Sequence, residues 1–335
     1  MFPCPDLTDA LRSLLQGAAN PVTHLAVATS GGVDSAMLAA HAASVAREQG
    51  IPLVLFHVHH GLQPAADGWA DHVQSLGQIL NVPVAIARAQ VDTASGLGIE
   101  AAAREARYAA LAALARQHGV PHILLAHHQN DQAETVLLRL LRGTGPDGMA
   151  AMSPSMQRDG LTYHRPWLSQ PRARILQAAQ AFAEHHAWQP VQDPTNADPR
   201  YTRAAVRELL SPVLDARWPG WQSRLASHAR RAAESTSILD DVADGDLATL
   251  DPSPDGLSFS LAKWRELPPP RQSLVLRHWL RRHGAGMPTE ARLADLLRQL
   301  RQLHSLGHDR QMTVAHAQHQ IRCHRGRVRL ERRKK

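Results

Sequence analysis

Between an apolar run, LAVAT, and a stretch of helical spacing lies Ser30-Gly31-Gly32-Val33-Asp34-Ser35: two glycines, two hydroxyls and one carboxylate. A strand feeding a helix through such a turn leaves backbone N–H groups free at the positive end of the helix dipole, which makes an anion site. Gly31 and Gly32 let the backbone come close to the anion, and Ser30 and Ser35 add donors. Asp34 would repel a phosphate unless a cation stood between them, so its presence calls for Mg²⁺. The loop has no lysine, which excludes a Walker-type loop, and it lacks the GxGxxG dinucleotide fingerprint. The plainer reading is an ordinary strand–helix turn capped by Ser30. A full Ser-Gly-Gly-Val-Asp-Ser after a buried-looking strand favours phosphate.

Four further stretches carry residues that do chemistry. In HVHHGLQ, residues 57–63, His57, His59 and His60 alternate as metal ligands could, or serve as solvent-facing or hydrogen-bonding histidines at a strand end. GIEAAAREARY, 98–108, sets Glu100, Arg104 and Arg107 on one helical stripe, either a salt-bridge ladder or an arginine pair aimed at phosphates. In HHQNDQAETVLLRLLRGTGPDGM, 127–149, Asp131 and Glu134 stand three apart at a helix start. A capping box explains them, yet the helix follows a strand's carboxyl end, where they would also face a ligand cleft and hold an amine or a metal. QDPTNADPRYTR, 192–203, reads as a polar loop leading into a helix.

The elements that must position these residues are legible as an alternation. From residue 24 to about 126, short apolar runs (HLAVAT, PLVLFHV, VPVAIAR, PHILLA) alternate with helical patterns at 33–49, 67–80 and 98–117. That order predicts an α/β fold, a parallel sheet wrapped by helices. A Gly/Pro/Met/Ser loop is expected at 143–160 and a helix near 171–187. VLDARWPGW, 213–221, breaks the helical pattern and marks a domain boundary, giving units 1–215 and 216–335. The second unit is smaller and mostly helical, with helices near 221–248, 269–283 and 288–304. It closes on a hairpin turning at Arg325-Gly326, with Ile321, Cys323, Val328 and Leu330 inward and arginines outward.

Composition narrows the class. The net charge is +7 and all but three of the basic residues are arginine, which suits a polyanionic partner or reflects genomic base composition. No apolar stretch reaches membrane-spanning length and the first twenty residues lack a signal-peptide core, so a cytoplasmic protein is expected. Cys4 and Cys323 lie near opposite ends of the chain, which excludes a CxxC metal or redox pair.

The hexapeptide resembles the pyrophosphate loop of the ATP-pyrophosphatase superfamily, and the following stretches are similar to the tRNA(Ile)-lysidine synthetase family. They are His60-Gly61-Leu62; Glu100, Ala103-Arg104 and Arg107-Tyr108; His128, Asp131, Gln132, Glu134 and Thr135; Arg142 to Gly145; RPWL; and Asp193, Thr195, Asn196, Tyr201 and Arg203. The likeness runs from about residue 22 to 215. It departs at Asn130, where the family has an aspartate, and at Ala204, where it has an asparagine.

The resemblance implies an adenine nucleotide alpha hydrolase-like, Rossmann-like N-terminal domain that uses ATP and Mg²⁺. The reaction implied is adenylation of the wobble cytidine of a CAU-anticodon tRNA(Ile) at its 2-carbonyl oxygen, then displacement of AMP by the ε-amine of free L-lysine. Residues Ser30 to Ser35 would hold ATP, with Asp34 on the metal. Asp34, Arg107, Asp131 and Glu134 would be catalytic, and His60, Arg104, His128, Asn130 and Arg203 would bind substrate. The arginines of the C-terminal hairpin would meet RNA phosphates. Two rivals stand beside this: another pyrophosphate-loop enzyme, thiolating tRNA or amidating a small molecule, and a non-catalytic RNA-binding relative.

Overall fold

Strand β1 (Leu25–Ala28) is an unbroken apolar run because both of its faces are covered. It pairs in parallel with β2 (Leu53–His59) on one side and β4 (His122–Leu124) on the other. β2 pairs in parallel with β3 (Val84–Arg88), and β4 with β6 (Leu161–His164). β5 (Ser155–Arg158) closes the edge antiparallel to β6, giving the order β3-β2-β1-β4-β6-β5. The computed structural model describes residues 4–17, 21–59, 61, 66–91, 98–193, 198–303 and 311–333.

The period-2 alternation of each strand sends neighbours to opposite layers. Val27, Leu55 and Leu124 face α1 (Pro5–Gln16), α2 (Val33–Gln49), α3 (Ala66–Leu80) and α7 (Arg172–His186), where Leu11, Met37, Leu76 and Phe182 are buried. Ala26, Phe56, Ile123 and Tyr163 face α4 (Ile99–His118) through Tyr108, Leu111 and Ala115. The chain leaves β1 toward β2 and returns to place β4 on the other side. The gap between the carboxyl ends of β1 and β4 is therefore the topological switch point, where open α/β sheets bind ligands. The Ser30–Ser35 turn follows β1, and α5 (Gln129–Leu141) follows β4.

The expected loop at 143–160 holds more than a loop: a short helix, α6 (Pro146–Met149), and β5, whose hairpin with β6 turns at Asp159-Gly160 with φ of 55° and 78°. Such an Asp-Gly pair is the signal for a two-residue hairpin turn, and it lies in the sequence between two four-residue strands. After α7 the chain runs through α8 (Thr202–Ala205), a π-helical turn (Val206–Leu210) and α9 (Ser211–Arg217) into α10 (Trp221–Thr249).

Two units are distinguished, Met1–Ala232 and Ala233–Lys335, dividing within α10. The second holds β7 (Ser258–Ser260), α11 (Leu261–Glu266), α12 (Pro269–Arg282), α13 (Glu290–Gln302), β8 (Met312–His316), β9 (His319–His324) and β10 (Arg327–Arg332). Its strands form an antiparallel sheet, β7-β10-β9-β8, against which Trp264, Trp279 and Leu300 pack. The expected hairpin is present as β9 and β10, turning at Arg325-Gly326 and burying Ile321, Cys323, Val328 and Leu330; β7 and β8 extend it to four strands. Among the described residues, no helix is long and apolar enough to cross a membrane.

Candidate active site

The turn after β1 is held by its own serines. Ser35 Oγ accepts from Ser30 N at 3.1 Å and donates to Gly32 O at 3.0 Å, while Ser30 Oγ lies 3.1 Å from Ser35 Oγ and accepts from Gly32 N at 3.3 Å. Gly31 has φ +88° and a Cβ there would sit 3.1 Å from Val191 Cγ2, so both conformation and space require glycine. Val191 N donates to Gly31 O at 2.9 Å, fixing the loop from outside. α2 begins at Val33, so the N–H groups of Val33, Asp34 and Ser35 have no partner within the helix and point to where an anion would sit.

Asp34 is the hub of a polar cluster. Its Oδ1 lies 3.7 Å from His128 Nε2 and accepts from Arg172 Nε at 3.4 Å. Burial pushes the Asp34 carboxyl up, but His128 and Arg172 more than offset it and hold it below its ordinary range, ionised. One carboxylate beside an anion-accepting turn fits the donor set that Mg²⁺ would take were substrate phosphates and water to complete its shell.

His128 is the N-cap of α5, and here the structure corrects the sequence reading of the cap. The box is closed by His128 and Asp131, not by Asp131 and Glu134. His128 Nδ1 accepts from Asp131 N at 3.4 Å, and Asp131 Oδ2 accepts from His128 N at 3.1 Å. This sets the imidazole with its proton on Nε2, toward Asp34. Glu134 is free of the cap, and it and Asp131 are 4% and 8% exposed.

A cation stands between these two carboxylates. Arg207 Nε donates to Glu134 Oε1 at 2.6 Å, and its Nη2 donates to Asp131 Oδ1 and Glu134 Oε2, both at 2.9 Å. Burial pulls this guanidinium down, but Glu134 and Asp131 raise it above its ordinary value. Arg207 comes from the π-helical turn, a feature frequent at functional sites. Sequence reasoning missed it; its position four residues after Arg203 was the available signal. Arg203 Nη2 reaches Thr135 Oγ1 at 3.3 Å, on the turn after Asp131.

Comparison with known proteins decides the family. A PP-loop domain matches residues 6–214 and a TilS substrate binding domain matches residues 259–329. A tRNA(Ile)-lysidine synthase of Bordetella bronchiseptica is 60% identical over 334 residues, 97% of each chain, and one of Bordetella pertussis is 64% identical over 304 residues, 91% of this chain and 94% of that one. The chain belongs to the tRNA(Ile)-lysidine synthase family. Among solved structures, a U34-tRNA thiolase from Methanococcus maripaludis aligns with a TM-score of 0.55 at 15% identity, over 69% of this chain and 79% of that one, a likeness of fold.

For a member of the tRNA(Ile)-lysidine synthase family, the structure brings most expected residues to one rim. Ser30 to Ser35, His128, Asp131, Glu134 and Arg203 are joined by the contacts above. Asn130, the departure from the family pattern, holds the start of a helix. Its Oδ1 accepts from Arg172 N at 3.3 Å, capping α7, whose first residue then reaches Asp34. Arg104 is exposed on α4 and donates to Tyr108 Oη at 3.4 Å; Arg107, on the next turn, is half-buried. Neither makes the salt-bridge ladder, one of the two readings of this stripe: among the described residues no ion pair links them to Glu100. His60, with Leu62, Thr195 and Asn196, lies outside the described residues. His57 donates from Nδ1 to Thr29 O at 2.9 Å, and His59 Nε2 lies 3.1 Å from Asp67 Oδ1, so both are hydrogen-bonding histidines. Arg172 was also missed from sequence, because its contact with Asp34 spans 138 positions.

Proposed function

We propose that this chain ligates free L-lysine to the C2 carbon of the wobble cytidine in a CAU-anticodon tRNA(Ile), consuming ATP and converting AUG reading to AUA reading. Residues 1–215 form the ATP-using catalytic part, and 216–335 a basic RNA-binding part whose Arg322, Arg325, Arg327 and Arg329 meet phosphates. The observation that carries this reading is the Asp131–Glu134 pair. Two buried carboxylates already closed on a nitrogen cation, one cap residue from Asp34, form a site with the charge and hydrogen-bond acceptors an alkylammonium needs.

In the first step the cytidine 2-oxygen attacks the α-phosphorus of ATP and the bond to the β-phosphate oxygen breaks. The loop hydroxyls and the first-turn N–H groups of α2 take up the charge developing on the leaving pyrophosphate. Asp34 would hold Mg²⁺, which would supply neutralisation of the phosphate charge. In the second step the ε-amine attacks C2 and the C2–O bond breaks, releasing AMP. Asp131 and Glu134 hold the lysine as its ammonium and accept the proton it must lose before attack. Arg207 bridges that pair, so the amine has to displace or share it. His128 acts as a positioning residue, tying Asp131 to Asp34.

Thiolation chemistry is disfavoured by the cysteines: Cys4 is buried with its Sγ toward Arg174 O at 3.4 Å, and Cys323 lies in the β9 core of the second unit. The test is incorporation of radiolabelled lysine into a CAU-anticodon transcript with Mg-ATP, beside a transcript with uridine at the wobble position. Label on the first alone, with AMP released, is the expected result. AMP formation with other nucleophiles and no lysine label would leave the superfamily and remove this substrate.

A further inference from the structure

The far side of the same rim holds positive charge that no carboxylate pairs with among the described residues, its nearest compensation being the Tyr108 ring under Arg104 and Arg107. Arg165 follows β6 and is 3% exposed; its Nη1 donates to Ser153 O at 2.8 Å, and its Nε is enclosed without a partner. Arg107 Nε, from α4, and His127 Nδ1, from the loop after β4, are likewise enclosed and unpartnered among the described residues. Arg104 and Arg203 border them. Arg107 is held below its ordinary value by burial and then by Arg104, Arg203 and Arg165, and the neutral form of His127 is favoured by burial and by the same arginines. The nearby carboxylate, Glu105, is spent on Arg158, at 2.6 Å. Among the described residues none of Arg104, Arg107, Arg165 or Arg203 has an ion pair. An enclosed donor without an acceptor and a buried charge without a counter-charge both cost stability, and a bound oxyanion removes both costs.

We propose that Arg107, His127 and Arg165, bordered by Arg104 and Arg203, form a second oxyanion site, distinct from the Ser30–Ser35 loop, for a phosphate group of a substrate. This deepens the function proposed above and rests on it for the identity of the two substrates that carry phosphate. One source is a phosphodiester of the RNA next to the target base; the other is the α-phosphate of ATP. Both present oxygens that guanidinium forks bind bidentately. Arg165 enters the site directly after β6 and His127 three residues after β4, and both are less exposed than Arg104.

The experiment compares the full chain with Arg165→Met, Arg107→Met and His127→Gln. Three quantities are read: thermal midpoint without ligand, affinity for a CAU-anticodon stem–loop RNA, and affinity for Mg-ATP. Removing an uncompensated cation is expected to leave the free midpoint unchanged or raised while one phosphate ligand binds 10-fold or more weaker. Loss confined to RNA assigns the phosphodiester, and loss confined to ATP assigns the α-phosphate. A lowered midpoint with both affinities kept within twofold overturns the site, because the cations would then be structural. Should Arg165→Met fail to fold, His127→Gln, which removes no formal charge, and a stem–loop with one neutral methylphosphonate linkage beside the cytidine read the same point on folded protein. If neither the variant nor the neutral linkage weakens binding, the site is refuted. Because these readouts are binding, they stand even if the wild-type chain incorporates no lysine, which would refute the function alone.

Discussion

Glu134 is where the proposed chemistry is most exposed to a single-atom change. Its two oxygens accept from Arg207 at 2.6 and 2.9 Å in a buried setting, so Glu134→Gln keeps shape and removes the charge that would hold an ammonium. A charge-assisted hydrogen bond contributes about 1.5–3 kcal/mol, so KM for lysine should rise roughly 10- to 100-fold. RNA-dependent pyrophosphate release should survive, since it precedes the amine. Loss of both together, in a single-turnover assay, would place Glu134 in adenylation instead. Asn130 makes the opposite forecast. Its oxygen is committed to the first N–H of α7, so Asn130→Asp should add about 0.3–1 kcal/mol of stability through the helix dipole. Lysine kinetics should stay within about threefold, and a larger change would show that the missing family charge matters. The loop residues were legible in sequence because their chemistry is local. Arg207 was not, because 73 positions separate it from Glu134 and only the folded π-helical turn brings them together.

At the level of elements, the site is a meeting of helix starts. α2 presents Asp34, α5 is capped by His128, and α7 begins at Arg172; each is linked to the next by a contact already described. Three positive dipole ends converging on one rim favour bound phosphate and stabilise the carboxylates among them. The strand–helix alternation that makes this convergence was readable from residue 24 onward, because each apolar run has the length of a buried strand. β5 and β6 were not read, because a four-residue strand inside a Gly- and Pro-rich stretch carries too little periodicity to outweigh its breakers. The element most dependent on one residue is the turn into α2. Gly31→Ala adds a Cβ at a left-handed φ and 3.1 Å from Val191, a cost of about 1–2 kcal/mol before the neighbour moves. Strain there displaces the loop proposed to cradle phosphate, so the affinity for Mg-ATP should fall about 10-fold or more while stem–loop RNA binding holds. Equilibrium dialysis of both ligands checks it, and an unchanged ATP affinity would mean the loop is not the nucleotide cradle.

Over the whole molecule, histidine burial sets a limit that composition alone conceals. Of the 21 histidines, His41 and His164 are 0% and 5% exposed. Burial pushes each down to about 4; for His41 the charge of Asp6 pulls slightly the other way, and for His164 the neighbouring His122, 3.0 Å away, adds to the depression. His41 spends its Nδ1 on Thr8 at 2.8 Å and packs edge-on to Trp167, so it is fitted to the core as a neutral ring. The unfolded chain protonates these rings near pH 6.5, while the folded chain resists until about 4. The unfolded state therefore binds more protons throughout that window, and stability must fall as pH drops from about 6.5 toward 4. At pH 4 the two rings together could remove about 4–6 kcal/mol, comparable with the whole stability of a typical domain. Urea midpoints followed by circular dichroism should be flat from pH 8 to 7 and drop steeply below 6. His41→Gln, which titrates nowhere in the range, should flatten roughly half of that drop even if it lowers stability at pH 8. A wild-type midpoint that stays level down to pH 5 would show that these rings take their protons in the folded state, and that the core around Trp167 admits a charge.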